Sequence, residues 1–160
     1  MFKIYYAAAI DTCVDKAFKQ IEEFKKIFNP YTNSFSINHP IVVYGAGFGD
    51  SPIIGPETSV VKKGVISAYD LRKIRECDVL MVVTDLKQFA AGTFMELEYA
   101  RNLGIYTIVL ALIPKFNYQK IGPYEVPPPT KVQNIFLETY ANKIIYSKEE
   151  LEEILKDLTR

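Results

Sequence analysis

Asp78-Val79-Leu80-Met81-Val82-Val83-Thr84-Asp85 is a continuous apolar run between two aspartates. Its length and β-branched content predict a strand covered on both faces, as in parallel sheets. Behind it comes Ala90-Ala91-Gly92-Thr93-Phe94-Met95-Glu96-Leu97-Glu98-Tyr99-Ala100. This reads as a short glycine-containing turn, then a helix over Thr93 to Leu103 that Gly104 stops in a left-handed conformation. Buried strand, turn and helix with a carboxylate in its first turn is how an open α/β sheet displays a polar group. Ligands of such sheets bind at the carboxyl ends of the strands, so Glu96 is the first candidate for a reactive residue.

The same alternation extends in both directions. Lys3 to Ala9 is a short β-favouring segment. Asp11 or Thr12 can cap a helix in which Ala17, Ile21, Phe24, Ile27 and Phe28 recur at helical spacing, ending near Asn29-Pro30. Pro40 to Tyr44 is a second strand, and Gly45 to Pro56 a long loop. Val65 to Arg75 is a helix with Ile66, Tyr69, Leu71 and Ile74 apolar. Tyr106 to Ile113 is a further buried strand. Pro114 to Pro129 reads as irregular, since the proline run Pro127-Pro128-Pro129 permits neither helix nor ladder. Val132 to Ala141 is a possible helix and Lys143 to Tyr146 a fifth strand. Ser147-Lys148-Glu149-Glu150 is a capping box with Leu151, Ile154 and Leu158 behind it. The expected fold is α/β, a single domain over residues 1–160. Its five-stranded, mostly parallel sheet carries helices on both faces in a Rossmann- or flavodoxin-like arrangement.

Composition narrows the function. Lys+Arg and Asp+Glu number 19 each, so no global positive field favours nucleic acid. No apolar run has membrane-spanning length, and Met1-Phe2-Lys3-Ile4-Tyr5 reads as a strand rather than a signal segment. Cys13 and Cys77 lie apart in apolar surroundings, which suggests reduced thiols and a cytoplasmic location. With His39 the single histidine and no cysteine pair at ligand spacing, neither a metal nor a cofactor is expected. His39 before Pro40 reads as a strand-entry residue. Gly45-Ala46-Gly47-Phe48-Gly49-Asp50 lacks the spacing of a phosphate loop and reads as a mobile loop over the site.

Two further features converge with Glu96. Tyr6-Ala7-Ala8-Ala9 ends the first strand in small residues, which either admit a ligand to the backbone or allow tight helix packing. Asp70, in Tyr69-Asp70-Leu71-Arg72-Lys73-Ile74-Arg75, is either a solvated helix face or a second carboxyl group of a site. Glu96 and Glu98 point to different sides of their helix, with Leu97, Ala100 and Leu103 on the core stripe. The alternative role for Glu96 is compensation of the helix dipole, a contribution of about 0.3–1 kcal/mol.

These residues resemble the nucleoside 2-deoxyribosyltransferase family. Lys3 to Ala8 resembles its opening strand, and Tyr69 to Leu80 its helix-and-strand element. Ala91 to Ala100 is similar to its GTxxE(I/L)GYA signature. Asn134-Ile135-Phe136-Leu137 with Lys143 to Tyr146 resembles its Asn-Leu-Met segment and last strand. The resemblance implies that Glu96 is the nucleophile attacking C1′ of a 2-deoxyribose. It implies that Asp70 contacts the nucleobase and manages its proton, and that Tyr5 positions the nucleophile. Ala7, Ala90 and Gly92 fall at substrate-contacting positions. Asn134, with Phe136 beside it, implies an asparagine reaching the sugar of a neighbouring subunit, hence a homo-oligomer whose site is completed in trans. The implied partners are a deoxynucleoside or deoxynucleotide and a free nucleobase. Nucleic acid and membrane are not implied.

Some positions depart from the family. The transferases place an aspartate six residues before the nucleophile, and the related deoxynucleoside monophosphate N-hydrolases a serine; here it is Ala90. Phe136 replaces a methionine and Glu98 a glycine. Asn134 favours the nucleoside branch. Asp11 would repel a bound phosphate, which also favours an uncharged 5′ end. The expected function is therefore transfer of 2-deoxyribose between bases through a glutamyl ester. A monophosphate N-hydrolase is the close alternative, and a nucleotide-binding sensor without turnover a more distant one.

Overall fold

The computed structural model describes residues 1–8, 14–33, 35, 37–55, 63–85, 91–112, 119–121, 123–126 and 135–160. In chain order the elements are β1 (Phe2–Ala8), α1 (Val14–Phe28), a 3₁₀ turn (Asn29–Tyr31), β2 (Ile41–Tyr44), α2 (Lys63–Glu76), β3 (Val79–Thr84) and α3 (Ala91–Asn102). After them come β4 (Tyr106–Ala111), β5 (Gln119–Ile121), β6 (Tyr124–Val126), α4 (Ile135–Tyr140), β7 (Lys143–Ile145) and α5 (Lys148–Thr159). Five strands form one sheet in the order β2-β1-β3-β4-β7, and every pairing in it is parallel. This is the flavodoxin-like strand order. Its connections diverge between β1 and β3, which opens a crevice at their carboxyl ends.

Successive residues of a strand face opposite sides, and β1 shows what that does here. Ile4 and Tyr6 join Phe18, Ile21, Phe24 and Phe28 of α1 and Leu151 and Leu155 of α5 on one face. Tyr5 and Ala7 join Ile74 of α2, Leu97 and Ala100 of α3 and Leu137 of α4 on the other. Each large apolar side chain withdrawn from water in these layers contributes about 1.5–3 kcal/mol. Helices thus cover both faces, as the continuous apolar strands require.

Local signals behave largely as the sequence implies. Ser147 caps α5 by accepting from the Glu150 N–H, and Glu150 accepts in return from the Tyr146 N–H. Gly104 ends α3 with φ +74°. Cys77 is a buried free thiol, and burial pushes it up to about 12, so it is inert at physiological pH. His39 is exposed.

Other expectations are corrected. The stretch read as irregular contains an antiparallel hairpin, β5 against β6. Leu103, placed on the core stripe of α3, is 47% exposed, and Thr93 is buried instead. Leu71 of α2 is also exposed. The loop after β2 is tied down rather than free. Phe48 is buried against Tyr6 and Phe28, the Gly47 N–H donates to the Ile53 carbonyl, and Ser51 accepts from the Ile53 N–H.

Gly45 opens that loop at φ +122°, with the Tyr6 carbonyl oxygen where a Cβ would stand. Gly45→Ala therefore meets both left-handed strain and a backbone collision that no side-chain rotation relieves. A loss of roughly 3 kcal/mol is expected, read as a fall of about 6–12 °C in the thermal midpoint.

Candidate active site

Tyr5 lies in the middle of β1 and faces α2 and α3. Its register partners, Tyr44 of β2 and Leu80 of β3, leave its ring enclosed, with 2% of the residue exposed. The hydroxyl at the end of that ring meets two carboxylates. It hydrogen-bonds the Asp70 side chain from α2, and the charge of Glu96 from α3 acts on it as well. Burial, then Glu96, then Asp70 raise the Tyr5 pKa well above its usual value. The phenol therefore stays protonated and donates.

Asp70 is half-buried. Burial raises its pKa, and the hydrogen bond from Tyr5 works in the opposite direction by favouring the carboxylate. A carboxyl group held neutral to higher pH than usual can give up a proton to a leaving group. The solvated-face reading of Asp70 thus fails, because its residue spacing puts it on the side of α2 that meets β1.

Glu96 stands in the second turn of α3, not the first, because the helix begins at Ala91 and has no acidic residue in its first turn. Dipole compensation falls off beyond the terminal turn, so that alternative role loses its basis. Glu96 is half-buried, while Glu98 is exposed. The structure therefore brings Tyr5, Asp70 and Glu96 together from three elements that are distant in sequence.

Ala7 lies two residues further along β1 on the same face and is buried. Gly92 is exposed in the first turn of α3, with open space where a Cβ would stand. Ala90, Asn134 and Asp11 lie outside the described residues, as does the side chain of Phe136. Among the described residues no cluster of His, Cys, Asp or Glu could hold a metal ion, and no helix is long and apolar enough to cross a membrane.

Residues that sequence reasoning missed adjoin the site. Tyr69, next to Asp70, donates its hydroxyl to Asp50 Oδ1 at 3.0 Å. Lys73, one turn on, lies 3.1 Å from Asp50 Oδ2. Lys73 and then Tyr69 hold the Asp50 carboxyl below the usual range. Apart from this group, Asp85, directly after β3, pairs with Lys16 of α1 at 3.5 Å. Spacing within one helix cannot reveal such partners, because each comes from a different connection.

Tyr5→Phe tests the triad. Removing the hydroxyl takes away the hydrogen bond that favours the Asp70 carboxylate, so the Asp70 pKa rises further. Any activity that needs protonated Asp70 is expected to persist to higher pH in the variant, measured as a displaced alkaline limb of the rate profile.

No protein-family model and no curated protein sequence matches the chain. Solved structures do. A 2-deoxyribosyltransferase of Bacillus psychrosaccharolyticus is similar with a TM-score of 0.64 at 13% identity, over 94% of this chain and 90% of that one. A conserved protein of Enterococcus faecalis V583 gives 0.57 at 16% identity over 98% of each chain. A CMP N-glycosidase of Clostridium botulinum gives 0.52 at 17% identity, over 96% of this chain and 98% of that one. In fold, this chain is a structural neighbour of a 2-deoxyribosyltransferase and of a CMP N-glycosidase.

Proposed function

We propose that the chain breaks the N-glycosidic bond of 2′-deoxynucleosides and transfers the 2-deoxyribosyl group to a second nucleobase. The observation that carries this reading is the meeting of Asp70 and Glu96 at one buried phenol beside the β1/β3 crevice. The neighbours' own activities support the same bond type.

Cleavage of the C1′–N bond builds positive charge on the sugar and negative charge on the base. Glu96, ionised, attacks C1′; the bond electrons pass to the base nitrogen, and Asp70 gives that base its proton. The product is a glutamyl-deoxyribosyl ester, as in a retaining glycosidase. A second base then attacks C1′, gives its proton to Asp70 and releases Glu96. Tyr5 holds Asp70 by its hydrogen bond and lies within reach of the Glu96 charge. None of these steps calls on a metal or cofactor.

Water in place of the second base would make the enzyme a hydrolase, and the CMP N-glycosidase neighbour favours a monophosphate for that second reading. Incubation of a purine deoxynucleoside with and without cytosine, beside its monophosphate in water, separates the two. A new deoxynucleoside that forms with the added base supports transfer. Free base from the monophosphate alone supports hydrolysis. Tight binding of either substrate with no base released would favour a sensor and remove both.

Assembly belongs to the same proposal. Val65 and Leu71 of α2 and Met95 of α3, the last 69% exposed, leave apolar side chains on the helices that carry the site. Covering them with a second copy would bury them and bring a neighbour towards the crevice. Sedimentation at micromolar concentration should report a multimer; a monomer would remove the part assigned to Asn134 of a neighbouring subunit.

A further inference from the structure

Asp50 grips α2 at two places. Its carboxylate accepts from the Tyr69 hydroxyl and pairs with Lys73 Nζ, positions four residues apart and so neighbours on one helix face. Asp70 adjoins the first of them. The Tyr69 hydroxyl, while donating to Asp50, accepts from the Gly45 N–H. Lys73 is 8% exposed, and its Nζ stands 4.3 Å from the ring centre of Tyr44, the last residue of β2. Both ends of the Gly45-to-Asp50 segment and the tip of β2 therefore converge on the turn of α2 that carries Asp70.

We propose that Asp50 is a positioning residue: by clamping Tyr69 and Lys73 it fixes the rotation of α2 and so holds the Asp70 carboxyl against the Tyr5 hydroxyl. This rests on the role given to Asp70 above. Stability is not the clamp's main product, because the Asp50 side chain is 58% exposed and exposed pairs contribute little. Its effect is angular. A small rotation of α2 would carry Asp70 off Tyr5 and admit water beside it. Among the described residues, the groups that bear on Asp70 are Tyr5 from β1 and Tyr69 from α2 itself, with Glu96 of α3 bearing on the same Tyr5 hydroxyl and the Asp50–Lys73 pair beyond Tyr69.

The test is carboxyl-carbon NMR of aspartate-labelled protein, with the Asp70 resonance assigned by its loss in Asp70→Asn. Asp50→Ala removes a negative charge, leaves Lys73 with only its longer pair to Glu76 at 3.9 Å and frees α2. Loss of the Tyr5 hydrogen bond alone would raise the Asp70 midpoint, but burial is the larger cause of its shift, so water admitted beside the freed carboxyl makes the net change a fall towards the ordinary carboxylate range. Tyr69→Phe removes one arm of the clamp while keeping every charge, and since α2 is fixed by both arms together, a fall there isolates positioning from electrostatics. Both variants should keep KM near its original value and lose kcat, with the alkaline limb moved to lower pH. An Asp70 midpoint unchanged in Tyr69→Phe, or unchanged in Asp50→Ala, overturns the proposal. The NMR readout needs no turnover, so it stands even if the deoxyribosyl activity is absent.

Discussion

Glu96→Ala is expected to lower kcat for transfer and for hydrolysis alike, by at least about 10⁴-fold. The reason is covalent. Without the carboxylate no ester forms, and the remaining groups can only bind substrate and protonate a base that has no displacing partner. KM should change little, since the role proposed for the residue is at C1′ rather than on the distal parts of the substrate. Mass spectrometry gives an independent reading. Wild-type protein quenched during turnover should carry a deoxyribosyl adduct on the peptide containing Glu96, and the variant none. An adduct elsewhere, or turnover retained by Glu96→Ala, would remove it as nucleophile.

Asp70→Asn is expected to cost about 10²–10⁴-fold in kcat, the usual range for a lost general acid. It should also abolish the alkaline limb that the proposed role of Asp70 predicts for the wild-type profile. A second effect has the opposite sign. Burial raises the Asp70 pKa in the folded protein, so the unfolded chain ionises first as pH rises. The stabilising contribution of the protonated form is complete below the ordinary carboxylate range and is lost as pH climbs through the raised value. At neutral pH the wild-type residue is therefore a burden on folding. Asparagine keeps an acceptor for Tyr5 without the charge, and the variant should be more resistant to urea at pH 8 than the wild type. The gap should close at pH 3. Equal urea midpoints at both pH values would mean that Asp70 is not buried as described.

Much of this was legible in the sequence, and for identifiable reasons. Apolar runs such as Val79 to Thr84 must be covered twice, which dictates a parallel sheet. The alternation of Tyr5 and Tyr6 needs no more than the two-residue period of a strand. The capping box at Ser147 and the stop at Gly104 are local chemistry. The failures lie where that kind of reasoning has no purchase. Ala91-Gly92 looked like a turn because glycine is a weak helix former, yet α3 starts there and moves Glu96 one turn inward. Leu71 and Leu103 fit a core stripe by spacing, but spacing cannot tell a buried face from one left open on a single copy. The β5–β6 hairpin consists of strands three residues long, too short for alternation to register amid prolines. Asp50 was invisible as a partner of α2 because nothing within the helix anticipates a carboxylate arriving from a different connection.

The two acids ride on separate helices, each packed on the same side of β1. Their spacing therefore depends on how those two helices seat on the sheet. Diversification of such a protein can proceed unevenly: the placement of the two acids is inherited with the skeleton, while the connections that leave β1 and β3 are free to drift. Two lineages built on this frame could thus come to share almost no sequence and still present a pair of acids to one tyrosine.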